Sequence, residues 1–342
     1  MSNSSRREFM KQSMVLTLGP AAFEAAALSS PHLMPERADS QGPGSEFFEG
    51  FKHEKIKTTG AIVNVFYGGK GSPVLLLHGI PETCVLWRKV APLLAHDFSL
   101  VIADLRGYGD SSKPPDGEDH VAYSKRAMAQ DQVEVMEYLG FRKFAVVGHD
   151  RGGRVAHRMA LDHPNRVTKL VVLDIVPTYK LYQNVTKEFA TTFFHWFFLV
   201  QPSPFPETVI ANSAEYFLKS MLLRLGGDVQ GNEIPGWVGE AAFHEYLRCF
   251  REPAALHAIC EDYRAAASID LMHDAADLNR KMQCPLLVLW AEKGPFHRMY
   301  NVLETWQDRG NHVSGKALAT GHFLPEQVPQ ELVEELKSFL SA

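Results

Sequence analysis

Residues 144–154 read Phe-Ala-Val-Val-Gly-His-Asp-Arg-Gly-Gly-Arg. Phe144 to Val147 form a short apolar run, and a helical pattern follows from Arg154 to Asp162. Between them, Gly148 and Gly152 flank Asp150. A strand, a tight glycine-flanked turn and a helix together make a nucleophile elbow, which lifts one side chain clear of the backbone. Here that side chain is an aspartate where serine is usual.

The same strand signature recurs outward from the elbow. Pro73–Leu77, Ser99–Ala103, Leu170–Leu173 and Pro285–Leu289 are continuous apolar runs, the mark of strands buried on both faces. Phe51–Thr58 and Ala61–Tyr67 alternate and read as a hairpin turning at Gly60. Helical patterns lie between the strands at about 84–94, 123–139 and 299–309, and a last amphipathic helix covers 331–340. Such alternation predicts an α/β architecture: a mostly parallel sheet flanked by helices. From about Pro177 to Ala267 no buried strand occurs, and the stretch is aromatic-rich and helical. It reads as an inserted helical cap over the carboxyl ends of the strands, where open α/β sheets place their ligands. The expected division is a core at 47–177, a cap at 178–268 and the rest of the core at 269–342.

Composition agrees with a soluble globular enzyme. The chain has 342 residues, 45% hydrophobic and 22% charged, with a net charge of −5. No basic patch calls for nucleic acid. Cys84, Cys249, Cys260 and Cys284 have no CxxC spacing, so they read as buried thiols rather than a zinc site or disulfide framework.

The chain opens Ser4-Ser-Arg-Arg-Glu-Phe-Met-Lys11, followed by a modest apolar stretch broken by Pro20 and Glu24. The paired arginines resemble a twin-arginine export signal, expected at 1–28, with a linker at 29–46. The apolar stretch is too short to span a bilayer. The expectation is a periplasmic or secreted protein without a membrane anchor in its mature form.

An aspartate at the elbow attacks an sp³ carbon and forms an alkyl ester, which water must then hydrolyse. The water needs a base. His322, in Ala319-Thr-Gly-His-Phe323, lies between the last apolar segment and the terminal helix. The base needs an orienting acid. Asp174 follows the strand ending at Leu173, whereas after Leu289 the only nearby acid is Glu292. In a fold with such an elbow, the amide after the nucleophile, here Arg151, and one from the loop after His78-Gly79, here Ile80, are expected to hold the ester oxygen. His78 and the segment 104–109 read as scaffold.

The segments GHDRGGR, LDHP, LDIVPTY, HWFFLVQPSPFPE and CEDYRA resemble the fluoroacetate (haloacetate) dehalogenases of the α/β-hydrolase fold, spread over about 73–323. The resemblance implies that a small 2-halocarboxylate is the substrate. It implies that Arg151 and Arg154 hold the carboxylate, and that His195, Trp196 and Tyr263 hold the leaving halide. Asp150, His322, Asp174 and water complete such a cycle with no metal and no organic cofactor. A homodimer is suggested by the resemblance alone. Three departures stand out: the export signal, Ile80 where an aromatic is common, and Thr320 where glycine is. Two other readings remain open. One is an epoxide hydrolase with the same nucleophile, its epoxide oxygen protonated by a cap tyrosine such as Tyr246 or Tyr263. The other is a non-catalytic receptor for a small carboxylate, against which the Asp150–His322 pair counts.

Overall fold

The computed structural model describes residues 42–227 and 233–342. The expected export signal at 1–28 and most of the expected linker at 29–46 lie outside them. The described end of that linker is structured: a 3-10 turn spans Ser45–Phe47, and the Phe48 ring packs on Phe66 at 4.7 Å.

Eight strands form one sheet: β1 Lys52–Lys57, β2 Ile62–Gly69, β3 Ser72–Leu77, β4 Phe98–Ala103, β5 Phe144–His149, β6 Val167–Leu173, β7 Leu286–Ala291 and β8 Val313–Leu318. Their order is β1-β2-β4-β3-β5-β6-β7-β8. β1 pairs antiparallel with β2, and β2 with β4; all the later pairings are parallel. β3, β5 and β6 lie in the middle of the sheet and carry almost unbroken buried apolar runs, as strands covered on both faces must. β8 is absent from the strands expected above. It is an edge strand that alternates exposed and partly buried residues, so it offers no apolar run.

The helices are α1 Ala91–Leu94, α2 Lys125–Tyr138, α3 Asp150–Asp162, α4 Thr178–Gln183, α5 Lys187–Thr192, α6 Phe194–Leu199, α7 Phe205–Ala211, α8 Ala214–Gly226, α9 Glu240–Phe250, α10 Pro253–Ala267, α11 Ile269–Ala276, α12 Pro295–Met299, α13 Val302–Gln307, α14 Leu324–Gln327 and α15 Pro329–Ser341. The described residues between β6 and β7 contain eight of them, α4 to α11, and no strand. α11 extends this helical run past 268. The helix expected at 84–94 is instead a 3-10 segment, Cys84–Lys89, followed by the short α1. The one expected at 299–309 divides into α12 and α13 around Tyr300 and Asn301, the latter capping α13 with its side chain.

Candidate active site

The site sits where β5 passes into α3. Asp150 has φ of +44°, the left-handed region that L-residues avoid, and this aims its side chain away from the helix. Packing explains the neighbouring glycines. A Cβ on Gly152 would lie 2.4 Å from the His78 carbonyl oxygen, and one on Gly79 would lie 2.5 Å from the Asp150 Cβ. Only glycine lets β3, β5 and α3 converge this closely. The Ile80 amide donates to Asp150 Oδ1 at 3.2 Å. The Arg151 amide opens the first turn of α3, where backbone N–H groups have no partner within the helix.

Burial alone would raise the Asp150 pKa. His322, Arg154, Arg151 and His149 outweigh it and hold the carboxyl below its usual range, so it is ionised near neutrality. His322 donates from Nδ1 to Asp174 Oδ2 at 2.6 Å. The other oxygen, Oδ1, accepts the Ala291 amide at 3.0 Å, so Asp174 is pinned between the ends of β6 and β7. Asp174 too has a positive φ, +48°. Glu292, the acid considered as its alternative, is exposed.

Several supports of this pair escaped the sequence reading. The His322 amide donates to the Leu225 carbonyl of α8 at 3.0 Å, so the helical insertion fixes the loop that carries the base. Gln327 donates to the Gly226 carbonyl and accepts from the Phe323 amide, holding the same loop from its other side. His149 donates from Nε2 to the His322 carbonyl at 2.9 Å, while its Nδ1 lies 3.5 Å from Glu82. Burial disfavours charge on His149, but Glu82 outweighs burial and raises it to about 9. His78 and Asp104 act as scaffold: His78 accepts the Leu105 amide, and Asp104 accepts the amides of Cys84 and Asp110 and the side chain of Asn64.

Arg151 and Arg154 are both buried beside Asp150. Arg151 spends Nε and Nη2 on Asp262 of α10, at 2.8 and 2.7 Å, and stacks on the Tyr263 ring at 4.2 Å. Its Nη1 has no partner. Asp262 also takes Tyr108 Oη–H at 2.6 Å and the ammonium of Lys125. Arg154 donates from Nη1 to the Val176 carbonyl and to Thr178 Oγ1, both at 2.9 Å. Its Nε and Nη2 are buried with no partner. Burial, with Arg151 close by, lowers Arg154 to about 10 against the opposing pull of Asp150, so it stays cationic.

His195, Trp196 and Tyr263 come together over these arginines. The Trp196 and Tyr263 rings are 5.8 Å apart edge to face, those of His195 and Tyr263 6.0 Å, and the Arg154 guanidinium lies 4.7 Å from the Trp196 ring centre. Burial and the nearby Arg224 lower His195 to about 3, so it is neutral. Arg224 Nη2 approaches His195 Nδ1 at 3.4 Å. Since a guanidinium only donates, this contact leaves the ring proton on Nε2. Tyr263 Oη is buried with no partner. Tyr246, by contrast, is not free: its hydroxyl donates to Glu326 at 2.6 Å, and Arg88 approaches it at 3.4 Å. Of the two tyrosines considered for protonating an epoxide, only Tyr263 has an uncommitted hydroxyl.

Residues 72–327 match the alpha/beta hydrolase fold family. The chain belongs to that family. It is 43% identical to the fluoroacetate dehalogenase of Burkholderia sp over 86% of this chain and 95% of that protein. Against the soluble epoxide hydrolase of Corynebacterium sp. (strain C12), identity is 31% over 84% of this chain and 97% of the relative. A provisionally named alpha/beta hydrolase from Nostoc sp PCC 7120 superposes with a TM-score of 0.82 at 53% identity, covering 85% of this chain and 98% of that one. A mutant of a provisionally named epoxide hydrolase from Pseudomonas aeruginosa, solved with MFA bound, superposes at 0.79 with 44% identity, covering 86% and 97%.

Proposed function

We propose that this alpha/beta hydrolase cleaves the carbon–halogen bond of a haloacetate and releases the hydroxy acid. The observation that carries the reading is the pair of buried guanidiniums beside an ionised nucleophile, with three N–H-bearing nitrogens left without partners. A neutral substrate has no use for them. A carboxylate does, because it must approach the like charge of Asp150 where the effective dielectric is low. The identity to fluoroacetate dehalogenase supports the same substrate class.

Asp150 attacks the halogen-bearing carbon; a C–O bond forms as the halide leaves with the bonding pair. His195 Nε2–H, the Trp196 indole N–H and the Tyr263 hydroxyl receive that halide. His322, oriented by Asp174, takes a proton from water, which attacks the ester carbonyl. The Ile80 and Arg151 amides stabilise the resulting oxyanion. The bond between the carbonyl carbon and the ester oxygen then breaks, the proton passes from His322 to the departing alkoxide oxygen, and Asp150 is regenerated as its carboxyl releases the second proton of the water to solvent.

The test is halide release from fluoroacetate and chloroacetate, set against diol formation from styrene oxide. Asp150→Asn is expected to abolish turnover. His322→Asn is expected to stop at the ester, so that intact-protein mass spectrometry finds substrate attached to Asp150. Steady turnover by His322→Asn without an adduct overturns the two-step route. A wild-type chain that opens the epoxide but leaves haloacetates untouched establishes the epoxide hydrolase reading, which the free Tyr263 hydroxyl and the Corynebacterium relative favour.

A further inference from the structure

Arg224 stands in the last turn of α8, half-buried. Its Nη1 donates to the Thr192 carbonyl at 2.6 Å, and its guanidinium lies 4.7 Å from the Phe194 ring centre. Its Nη2 reaches His195 Nδ1 at 3.4 Å, and its Nε is buried with no partner. No carboxylate pairs with it among the described residues, and burial lowers its pKa. A cation taken from water without an anion costs stability. What this one faces is the imidazole that would receive the halide, where negative charge develops.

We propose that Arg224 is a positioning residue for halide departure: acting through His195, it orients and polarises the Nε2–H donor and so sets how poor a leaving group can be expelled. The proposal rests on the haloacetate reading, in which His195 meets the halide. A guanidinium has no acceptor, so His195 Nδ1 must accept and the ring proton must sit on Nε2. The same cation opposes a second proton. Burial and Arg224 hold His195 at about 3, with His322 and Arg151 acting in the same sense and Asp150 against them. His195 therefore offers one N–H and no proton to transfer, and the halide leaves as an anion with the bonding pair. Linked hydrogen bonds polarise one another where the dielectric is low, so a cation behind Nδ1 makes Nε2–H a stronger donor than a lone imidazole. With no anion to cancel it, that charge is felt at the halide. Fluoride needs such help most, because its bond to carbon is the strongest and the small ion is the strongest acceptor. Bromide needs it least. Dependence on Arg224 should fall from fluoride through chloride to bromide.

The test isolates carbon–halogen cleavage. In the His322→Asn chain the ester accumulates, so adduct formation under single-turnover conditions, followed by mass spectrometry, reports that step alone. Hydrolysis is kept out because Leu225, next to Arg224, holds the His322 loop. Adding Arg224→Met is expected to slow adduct formation from fluoroacetate by about tenfold or more, short of the about 10²–10³ for losing an electrostatic donor outright. Chloroacetate should slow less, and bromoacetate hardly at all. Arg224→Lys, a shorter donor-only cation, is expected to show the same order with smaller losses; it decides the matter if the methionine variant does not fold. With His195→Gln already in place, Arg224→Met is expected to lose its selectivity for fluoride, since the two residues act as a unit. Slowing that is absent or equal for all three substrates, or a fluoride-selective loss that persists without His195, would overturn the proposal and leave the haloacetate reading standing. A wild-type chain that releases halide from none of the three removes both.

Discussion

Arg151 and Arg154, less than one helical turn apart, present different faces to the same space. A guanidinium binds a carboxylate best along the edge formed by Nε and Nη2, whose two N–H bonds are parallel. On Arg151 that edge already holds Asp262. On Arg154 it is empty, because the Val176 carbonyl and Thr178 occupy Nη1 alone. In the proposed reaction Arg154 would therefore make the two-pronged contact to the substrate carboxylate and Arg151 a single one. Arg154→Lys is expected to lower kcat/KM for chloroacetate by about 2–5 kcal/mol, the usual cost of breaking a buried charged hydrogen bond. Lysine restores the charge but not the fork. Activity on styrene oxide, measured in parallel, should change far less. Near-wild-type chloroacetate turnover by this variant would remove Arg154 from the site.

At the scale of elements, the helical insertion is anchored by a buried charge cluster. Asp262 of α10 meets Arg151 of α3, Lys125 of α2 and the Tyr108 hydroxyl. Arg151 and Lys125 together depress the Asp262 pKa despite complete burial. Removing that anion strips Arg151 of its carboxylate partner and leaves Lys125 with Asp270 alone, 3.6 Å away, all out of water. Asp262→Asn is thus expected to destabilise the fold by about 3–5 kcal/mol in urea unfolding. Breaking the exposed Arg298–Glu188 pair should change stability by about 1 kcal/mol at most. Equal effects from the two changes would mean that the cluster does not anchor α10. None of this was legible in the sequence, although Asp262 lies within the quoted segment CEDYRA. Nothing local in a helix encodes which distant helix its polar face will meet, and Arg224 and Leu225 were missed for the same reason. What the local pattern exposed best lies at a strand end, whereas the helical residues His195, Trp196 and Tyr263 were named through the family resemblance alone. Asp150 follows β5 and Asp174 follows β6, each behind an apolar run. β8 hid because Val313-Ser-Gly-Lys-Ala-Leu318 has no such run. Its Gly315 is there because a Cβ would stand 2.1 Å from the Val288 carbonyl oxygen of β7.

For the whole molecule, the twin-arginine reading and the cysteines fit together. Cys84, Cys249, Cys260 and Cys284 are all free and buried, so the fold needs no oxidising compartment. A chain that folds fully before export suits the twin-arginine route, and we propose that route for it. Arg6→Lys combined with Arg7→Lys is expected to trap the protein in the cytoplasm of a bacterial host; equal appearance of both forms outside the cytoplasm in a fractionation would refute the proposal. The position of the insertion has an evolutionary consequence as well. It leaves the sheet after β6 and returns at β7, and these strands are neighbours, about 5 Å apart. A segment with adjacent ends is a cassette: it can be lengthened, shortened or traded between lineages without moving a single strand. Substrate preference can then diversify while the hydrolytic chemistry is inherited intact. The transplant must also bring matching partners for Arg151 and for the His322 amide, and these two seams mark where recombinants between relatives will succeed or fail.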